Sequence, residues 1–227
     1  MKDLKVIKDK IFSNCGIYDN KRIYENTTAS FQRALKNNYP IKIDLHLTKD
    51  NKLIIFQDDN TERLLHIDEE INKLTYEEIL YLSKYKIPTI EETLELVKGQ
   101  VPLLIELKGV SKKRKMEKLV ANIMSKYNGP FALCSKHMRT VTYYTKKYPN
   151  FIVGYVLDET NKNRFFLFRG YDFLNIDMDL YDDRKVRKLR ESTTVLGHIA
   201  KDKEDLLKNK RIYDNLICDN LLEIDTN

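Results

Sequence analysis

The chain contains 227 residues, of which 42% are hydrophobic and 33% are charged, and it carries a formal net charge of +6. This balance is typical of a folded globular protein and excludes an intrinsically disordered chain. The three cysteines, Cys15, Cys134 and Cys218, lie far apart and form no C-x-x-C pair. They favour a reduced setting over a disulfide framework and do not outline a zinc site.

No apolar run approaches the roughly 18 residues that would cross a bilayer, and residues 1–10 are charged without an apolar stretch. We therefore expect no transmembrane segment and no secretion signal, and we expect a cytoplasmic protein. Basic clusters at residues 111–118 and 184–190 fall in helical patterns. We interpret them as solvated helix faces, the alternative being an anionic partner such as a phospholipid surface. No nucleic-acid motif accompanies them, so we expect no nucleic-acid partner.

Strand and helix patterns alternate almost from one end of the chain to the other. The predicted strands are residues 10–13, two runs within 41–59, and residues 101–108, 131–135, 151–157, 173–176, 195–199 and 216–218. Capping boxes predict helices that begin after Thr75 and Thr89, and Asn26 or Thr27 caps an earlier helix. Apolar residues at helical spacing predict further helices at residues 116–127, 138–147, 184–190 and 203–207.

This alternation, with nearly continuous apolar strands, indicates a parallel sheet covered by helices. About eight strand–helix units in this length favour a closed (β/α)8 TIM barrel over an open doubly wound sheet. No G-x-G-x-x-G turn supports the open sheet. Since no linker or change of composition divides the chain, we predict one domain that covers residues 1–227.

Polar residues concentrate where the predicted strands end. Alternation within residues 41–47 places Lys42, Asp44 and His46 on one strand face, and burying them is costly unless that face lines a polar pocket. In a (β/α)8 barrel the chemistry lies at the carboxyl ends of the strands. The polar residues near these ends are Asn14, Cys15, Lys42, Asp44, His46, Gln57, Glu106, Lys108, Ser135, His198 and Asp219.

Seven short motifs occur in an ordered series along the chain. They are Glu25 to Thr27, Ile43 with Asp44, Leu47 to Asp50, Asp58 and Asp59 with Arg63, Ile87 to Thr89, Ile105 to Lys108, and Ile217 to Asp219. In these motifs the chain resembles the glycerophosphodiester phosphodiesterase family, which belongs to the phospholipase-C-like phosphodiesterases. The resemblance implies the same barrel and the family's reaction, a hydrolysis of phosphoric diesters that depends on Ca²⁺ or Mg²⁺.

The chain departs from the family at four positions of the expected site. The family's His-Arg-Gly turn supplies a catalytic histidine and a phosphate-binding arginine, and Asn14 and Cys15 stand there instead. Lys42 replaces the first acidic metal ligand, and Gln57 replaces the second catalytic histidine. Neither amide titrates near neutral pH, so general acid and base catalysis is absent at both positions.

The remaining family positions imply what the site retains. Asp44 and Glu106 correspond to metal ligands, Lys108 to their lysine neighbour, and Glu25 to a residue of the ligand site. We expect the Lys42 ammonium to pair with Asp44 and Glu106 and to take the place of the metal. No cofactor is then expected.

Three alternatives stay open. His46 and His198 could form a relocated acid–base pair. Cys15, beside a helix N-terminus, could be a nucleophile with a depressed pKa. Lys108 could make a structural ion pair or contact an anion, and His198 and Cys15 could likewise contact a ligand.

Two functions therefore compete. The first is a catalytically degenerate member of the family, which binds a phosphorylated or polyol small molecule as a binding or regulatory module. The second is an active hydrolase of glycerophosphodiesters, in lipid or cell-surface polymer metabolism, with rearranged catalytic residues and a Ca²⁺ or Mg²⁺ ion.

Overall fold

The computed structural model describes residues 2–109, 111–162, 170–180, 182–219 and 221. The strands described are β1 (Phe12–Asn14), β2 (Ile41–Leu47), β3 (Leu53–Ile55), β4 (Leu103–Leu107), β5 (Phe131–Ser135), β6 (Val153–Leu157), β7 (Phe173–Asp177), β8 (Thr194–Ala200) and β9 (Asn215–Cys218). The α-helices described are α1 (Lys5–Lys8), α2 (Thr28–Lys36), α3 (Glu62–Leu65), α4 (Tyr76–Leu82), α5 (Ile90–Val97), α6 (Lys115–Met124), α7 (Met138–Lys147), α8 (Asp183–Arg190) and α9 (Lys203–Asn209).

The strands form one sheet in the order β1-β9-β8-β7-β6-β5-β4-β2-β3, and a further pairing of β1 with β2 closes it. Every neighbouring pair in the closed ring is parallel. The strand β3 pairs antiparallel with β2 and lies outside the ring. The predicted (β/α)8 TIM barrel is therefore confirmed, with a β2–β3 hairpin added at one side.

Helix starts follow the predicted capping residues. The side chains of Thr75 and Thr89 accept hydrogen bonds from backbone N–H groups three residues later. The Glu78 and Glu92 side chains accept in return from the backbone N–H groups of the two threonines, which completes a capping box at each helix. Thr27, one of the two residues predicted to cap the first long helix, does the same for α2. Such a cap satisfies backbone donors that have no partner within the helix.

Three strands begin two residues later than predicted, namely β1, β4 and β6, which begins at Val153 rather than at residue 151. The ends of several other strands differ by one residue. The strand β1 begins at Phe12 and includes Asn14, so Asn14 lies in the strand rather than in the turn after it. The strand β4 begins at Leu103, after Pro102, because proline has no N–H group to donate to a neighbouring strand.

One end of the barrel interior is filled by apolar side chains. Phe12, Leu104, Phe173 and Ile217 form a buried cluster with Ile7 of α1. The Asn215 amide donates to the carbonyl oxygens at positions 7 and 10, at 2.8 and 2.7 Å, and holds α1 against the start of β9. Because this end is closed, polar chemistry is confined to the carboxyl ends of the strands. Among the described residues, no helix combines the length and apolar character that crossing a membrane requires.

Gly154 lets β6 and β7 pack closely at this interior layer. It pairs with Phe173, and a Cβ atom at position 154 would lie 2.3 Å from carbons of the Phe173 ring. We therefore expect Gly154→Ala to lower the free energy of unfolding by about 1–3 kcal/mol, as measured by urea denaturation. Combining it with Phe173→Leu should recover part of that loss, and strictly additive losses would contradict the proposed clash.

Candidate functional site at the barrel mouth

Alternation along β2 gives the barrel its polar interior. Ile41 and Ile43 pack in the main core cluster, whereas Lys42, Asp44 and His46 are buried on the other face of the strand. The parallel register aligns Asp44 with Glu106 on β4. The predicted sharing of one face is therefore confirmed, and it brings charged side chains from β2 and β4 together.

Four charged groups form the centre of the site. The Lys42 Nζ atom lies 2.5 Å from Oδ1 of Asp44 and 3.1 Å from Oε2 of Glu106. The Lys108 Nζ atom lies 3.4 Å from Oε1 of Glu106 and 3.7 Å from Oδ1 of Asp44. The expected pairing of Lys42 with both carboxylates is thus present. We call these four residues the central ion cluster.

The central ion cluster sets the charge of its own members. Burial acts against the Lys42 ammonium, but Asp44 and Glu106 outweigh that effect and raise the Lys42 pKa well above its usual value. Burial also acts against the two carboxylates, yet the lysines hold both carboxyl pKa values below their usual range. All four groups are therefore charged at neutral pH, and their charges balance.

Asn14 contacts a third carboxylate at the barrel mouth, that of Asp219. Its Nδ2 atom donates to Oδ1 of Asp219 at 2.9 Å, and the Tyr18 hydroxyl donates to the same oxygen at 3.1 Å. Burial is the main cause that raises the pKa of Asp219, and the two hydrogen bonds oppose it. The sequence pointed to Asp219 as a strand-end residue but gave no signal for Tyr18, which reaches the site from a loop.

Cys15 and Gln57 lie beside the central ion cluster. The Cys15 thiol lies 3.3 Å from Oδ2 of Asp44 and 3.8 Å from Oε1 of Gln57. Burial, followed by the charge of Asp44, raises the Cys15 pKa well above its usual value. The alternative of a nucleophile with a depressed pKa is therefore wrong, because a buried thiol next to a carboxylate stays protonated.

Glu25 is engaged by an arginine at the edge of the site. Arg63 donates to both Glu25 carboxylate oxygens, at 2.5 and 3.0 Å, and its Nε atom donates to Asp58 at 2.7 Å. Asn20 donates to Glu25 as well. These bonds occupy the Glu25 carboxylate, which fixes the loop after β1.

The two candidate catalytic histidines differ in their surroundings. Burial is the main cause that lowers the pKa of His46 and of His198 to about 4 each, followed by Lys108 for His46 and Lys42 for His198. His198 lies within β8, and no hydrogen bond connects it with His46 in the described part of the chain. The exposed His66 lies at the end of α3 and the half-buried His137 at the start of α7.

A polar residue that sequence reasoning missed lies on β7. Asn175 is fully buried, and neither of its amide atoms has a hydrogen-bond partner among the described residues. Its neighbours Leu174 and Ile176 pack in the main core cluster, so Asn175 faces the barrel interior with Phe173. The sequence did contain a signal for Asn175, because a polar residue two positions after Phe173 lies on the same face of the strand.

The donor atoms do not fit a divalent cation. Ca²⁺ and Mg²⁺ take about six or more oxygen ligands, whereas the Lys42 ammonium lies against oxygens of both Asp44 and Glu106. Across the described ranges, no group of three or more His, Cys, Asp or Glu side chains is placed to hold a metal ion. A cation here would displace the ammonium or remain beside it, at a cost in repulsion.

The sequence matches one protein family over most of its length. The model of the glycerophosphoryl diester phosphodiesterase family matches residues 18–196. The chain therefore belongs to the glycerophosphoryl diester phosphodiesterase family, as its motifs predicted.

Individual relatives support the same family. YhdW of Bacillus subtilis (strain 168), whose name assigns it provisionally as a glycerophosphodiester phosphodiesterase, is 30% identical over 139 residues, 56% of this chain and 57% of that protein. A glycerophosphodiester phosphodiesterase of Caldanaerobacter subterraneus is 32% identical over 100 residues, 39% of this chain and 41% of that protein. The chain thus matches about half the length of these relatives.

A solved structure shares the fold. The Oleispira antarctica phosphodiesterase, in complex with the product sn-glycerol-3-phosphate, superimposes with a TM-score of 0.80 at 20% identity. The match covers 96% of this chain and 95% of that one. At this identity the comparison shows the barrel alone.

Removing the central ammonium tests the ion cluster. We expect Lys42→Met to lower the free energy of unfolding by about 3–5 kcal/mol, because Asp44 and Glu106 would remain buried with one fewer cation. Urea denaturation at neutral pH measures the change. The matched control, Lys108→Met, should cost less, since its side chain is 18% exposed against 2% for Lys42. Equal stability of Lys42→Met and the unchanged chain would contradict the cluster.

The buried histidines make stability depend on pH. Their folded pKa of about 4 lies below the unfolded value of about 6.5, so the unfolded chain binds more protons between these values. We expect the free energy of unfolding to fall as the pH drops from about 6.5 to about 5, measured by urea denaturation. His198→Gln should flatten this dependence, whereas His66→Gln, an exposed control, should not. A profile that His198→Gln leaves unchanged would refute the assignment.

Proposed function

We propose that this protein is a non-catalytic member of its family, which binds a phosphorylated or polyol small molecule at the barrel mouth without hydrolysing it. The observation that carries the proposal is the position of the Lys42 ammonium, 2.5 Å from Asp44 and 3.1 Å from Glu106. It satisfies the two carboxylates that the family resemblance assigns to metal binding.

The substitution at position 42 preserves the net charge of such a centre. Without Lys108, a dication among three carboxylates has a net charge of −1. One ammonium between two carboxylates, again without Lys108, has the same net charge. Lys42 thus removes a ligand and supplies the missing positive charge in a single change. This balance supports an arrangement that is stable without a metal and has no Lewis acid to polarise a phosphate.

The site also has few side chains that could transfer protons in a hydrolysis reaction. The Asn14 and Gln57 side chains are amides, which neither donate nor accept protons as acids or bases near pH 7. His46 and His198 are neutral at that pH, and a pKa of about 4 makes each a weak base. This argues against the rearranged hydrolase, in which His46 would replace a missing histidine.

A site that does not hydrolyse a phosphorylated ligand can still bind it. Lys108 is the member of the central ion cluster whose cationic side chain is partly exposed, and ammonium groups bind phosphate oxygens as point charges. The Oleispira antarctica phosphodiesterase of the same fold was crystallised with sn-glycerol-3-phosphate, which supports testing a ligand of that class here.

Hydrolysis and metal binding test the proposal directly. We expect no turnover of glycerophosphocholine or of bis(p-nitrophenyl) phosphate above buffer, whether Ca²⁺, Mg²⁺ or EDTA is present. Calorimetry should detect no micromolar binding of either ion. Metal-dependent turnover that Asp44→Asn abolishes would establish the hydrolase instead.

A reversion experiment asks what the lost groups contributed. Asn14→His, Cys15→Arg, Lys42→Glu and Gln57→His together should create micromolar binding of Ca²⁺ or Mg²⁺ and measurable hydrolysis. The matched control carries the same changes without Lys42→Glu. It should bind no metal, because the ammonium still engages both carboxylates. Equal metal binding by the two variants would show that Lys42 does not block the site.

A further inference from the structure

The positive charge of the chain is concentrated at the closed end of the barrel, opposite the mouth. In a (β/α)8 barrel the helices that lead into strands end there. The last turns of these helices, the loops that enter the next strands and the segment around α1 together form a surface that we call the basal face. Its described residues are 2–11, 33–40, 94–102, 121–130, 144–152, 170–172, 187–193 and 206–214.

The basal face holds far more basic than acidic residues. Its described segments contain 16 lysines and arginines against six aspartates and glutamates. The whole chain has 40 basic and 34 acidic residues, so the rest of the sequence has 24 basic and 28 acidic ones. The net charge of +6 therefore combines a strongly positive closed end with a slightly negative remainder.

Hydrogen bonds join distant parts of the chain into this one surface. The Lys10 Nζ atom donates to the Asn38 carbonyl oxygen at 3.3 Å and links the entry of β1 with that of β2. The Lys2 Nζ atom donates to the Phe151 carbonyl oxygen at 2.6 Å, before β6. The Asn215 amide holds α1 at the start of β9. The basic residues thus lie together on one end of a closed barrel.

Few basic residues of the basal face are paired with a carboxylate. Within the described part of the chain, the salt bridges of this face are Lys2 with Asp172 and Arg190 with Asp214. Other basic residues there are exposed and form no salt bridge with a described residue, for example Lys8, Lys36, Lys146 and Lys210. Unbalanced charges on one face raise the local potential and attract anions.

Helix dipoles account for only part of this pattern. Basic residues are favoured in the last turn of a helix, where they offset the partial negative charge of the free carbonyl groups. Eight of the 16 basic residues lie instead in the α1 segment or in loops, among them Lys10, Lys126 and Arg211. The positive charge therefore exceeds what the dipoles favour, and an anionic partner accounts for the excess.

The chemistry of the basal face fits an anionic lipid surface better than a nucleic acid or a protein. Helix ends around the barrel spread their charges over two dimensions, as phospholipid headgroups do. Single-stranded nucleic acids stack on aromatic rings, and no aromatic side chain described on this face is exposed. Protein interfaces have an apolar core, whereas Leu207 is the one large apolar side chain exposed among the described residues of the face.

We propose that the basal face binds an anionic phospholipid surface through basic residues of several segments. In this orientation the barrel mouth is directed away from the membrane and stays open to solvent. The inference is independent of the proposed function, because it uses the opposite end of the barrel and none of the residues of the central ion cluster.

Sedimentation with vesicles at about 0.1 M salt, where the Debye length is about 10 Å, tests the partner. We expect binding to phosphatidylcholine vesicles that contain about 30% phosphatidylglycerol, release at about 1 M salt, and no binding to phosphatidylcholine alone. Equal binding to both vesicles, or binding to neither, would overturn the proposal. Tighter binding of duplex DNA than of the anionic vesicles, at equal phosphate concentration, would also overturn it and assign the face to nucleic acid.

Two variants with the same net charge test the location of the contact. The basal variant combines Lys8→Gln, Lys36→Gln, Lys146→Gln and Lys210→Gln. The control variant, on the mouth side, combines Lys49→Gln, Lys52→Gln, Lys84→Gln and Lys112→Gln. All eight lysines are exposed, and Lys49 and Lys112 line a cavity at the mouth.

The basal variant should bind the anionic vesicles about tenfold more weakly, because it loses cations that lie next to the headgroups. The control variant should stay within about twofold of the unchanged chain. Thermal melting checks that both variants remain folded, as expected for exposed positions. An equal loss of binding in the two variants would reduce the effect to net charge and overturn the basal face.

Fluorescence labels test the orientation of the bound protein. The three native cysteines are buried, so Ser125→Cys on the basal face and Asn72→Cys near the mouth each provide one exposed thiol. An environment-sensitive fluorophore at position 125 should shift its emission to the blue when anionic vesicles are added, and one at position 72 should not. An equal shift at both positions, or a shift at position 72 alone, would refute the proposed orientation.

Discussion

The pairing of the Lys42 ammonium with Asp44 and Glu106 inside the barrel is the interaction on which the site depends. Removing a charge from water is costly, and a buried ammonium persists only where carboxylates compensate it. Parallel pairing of β2 with β4 supplies that compensation, because it aligns Asp44 with Glu106. Lys108 then balances the second negative charge, so the central ion cluster carries no net charge.

The groups around this cluster are consistent with a centre that does not need to change its protonation state. Cys15 contacts Asp44 as a protonated thiol, and Asn14 donates an amide hydrogen to Asp219. A neutral donor suits the Asp44 carboxylate, because the lysines hold its pKa below its usual value. Every carboxylate of the central ion cluster thus has a cationic partner, and Lys108 is the more exposed of the two lysines that supply these partners.

Local patterns predicted the elements of the fold well. The limits of α7 and the capping residues Thr75 and Thr89 were read correctly, since they depend on neighbours within one turn. The starts of β1, β4 and β6 were placed too early, because an apolar residue (Ile11, Val101 or Ile152) precedes the paired part of each strand. The alternation of strand and helix patterns predicted the fold class, because eight similar strand–helix units have few ways to bury their apolar faces.

The sequence by itself determined the barrel, the family and the identity of the altered positions, because alternation and motif order are properties of neighbouring residues. Only the tertiary structure decided how far Lys42 lies from two carboxylates, and that burial raises the Cys15 pKa. It also decided that Lys49 and Lys112, far apart in the chain, line one cavity. The distances between charged groups and their desolvation depend on how strands and loops are arranged in space, and no local sequence pattern specifies that arrangement.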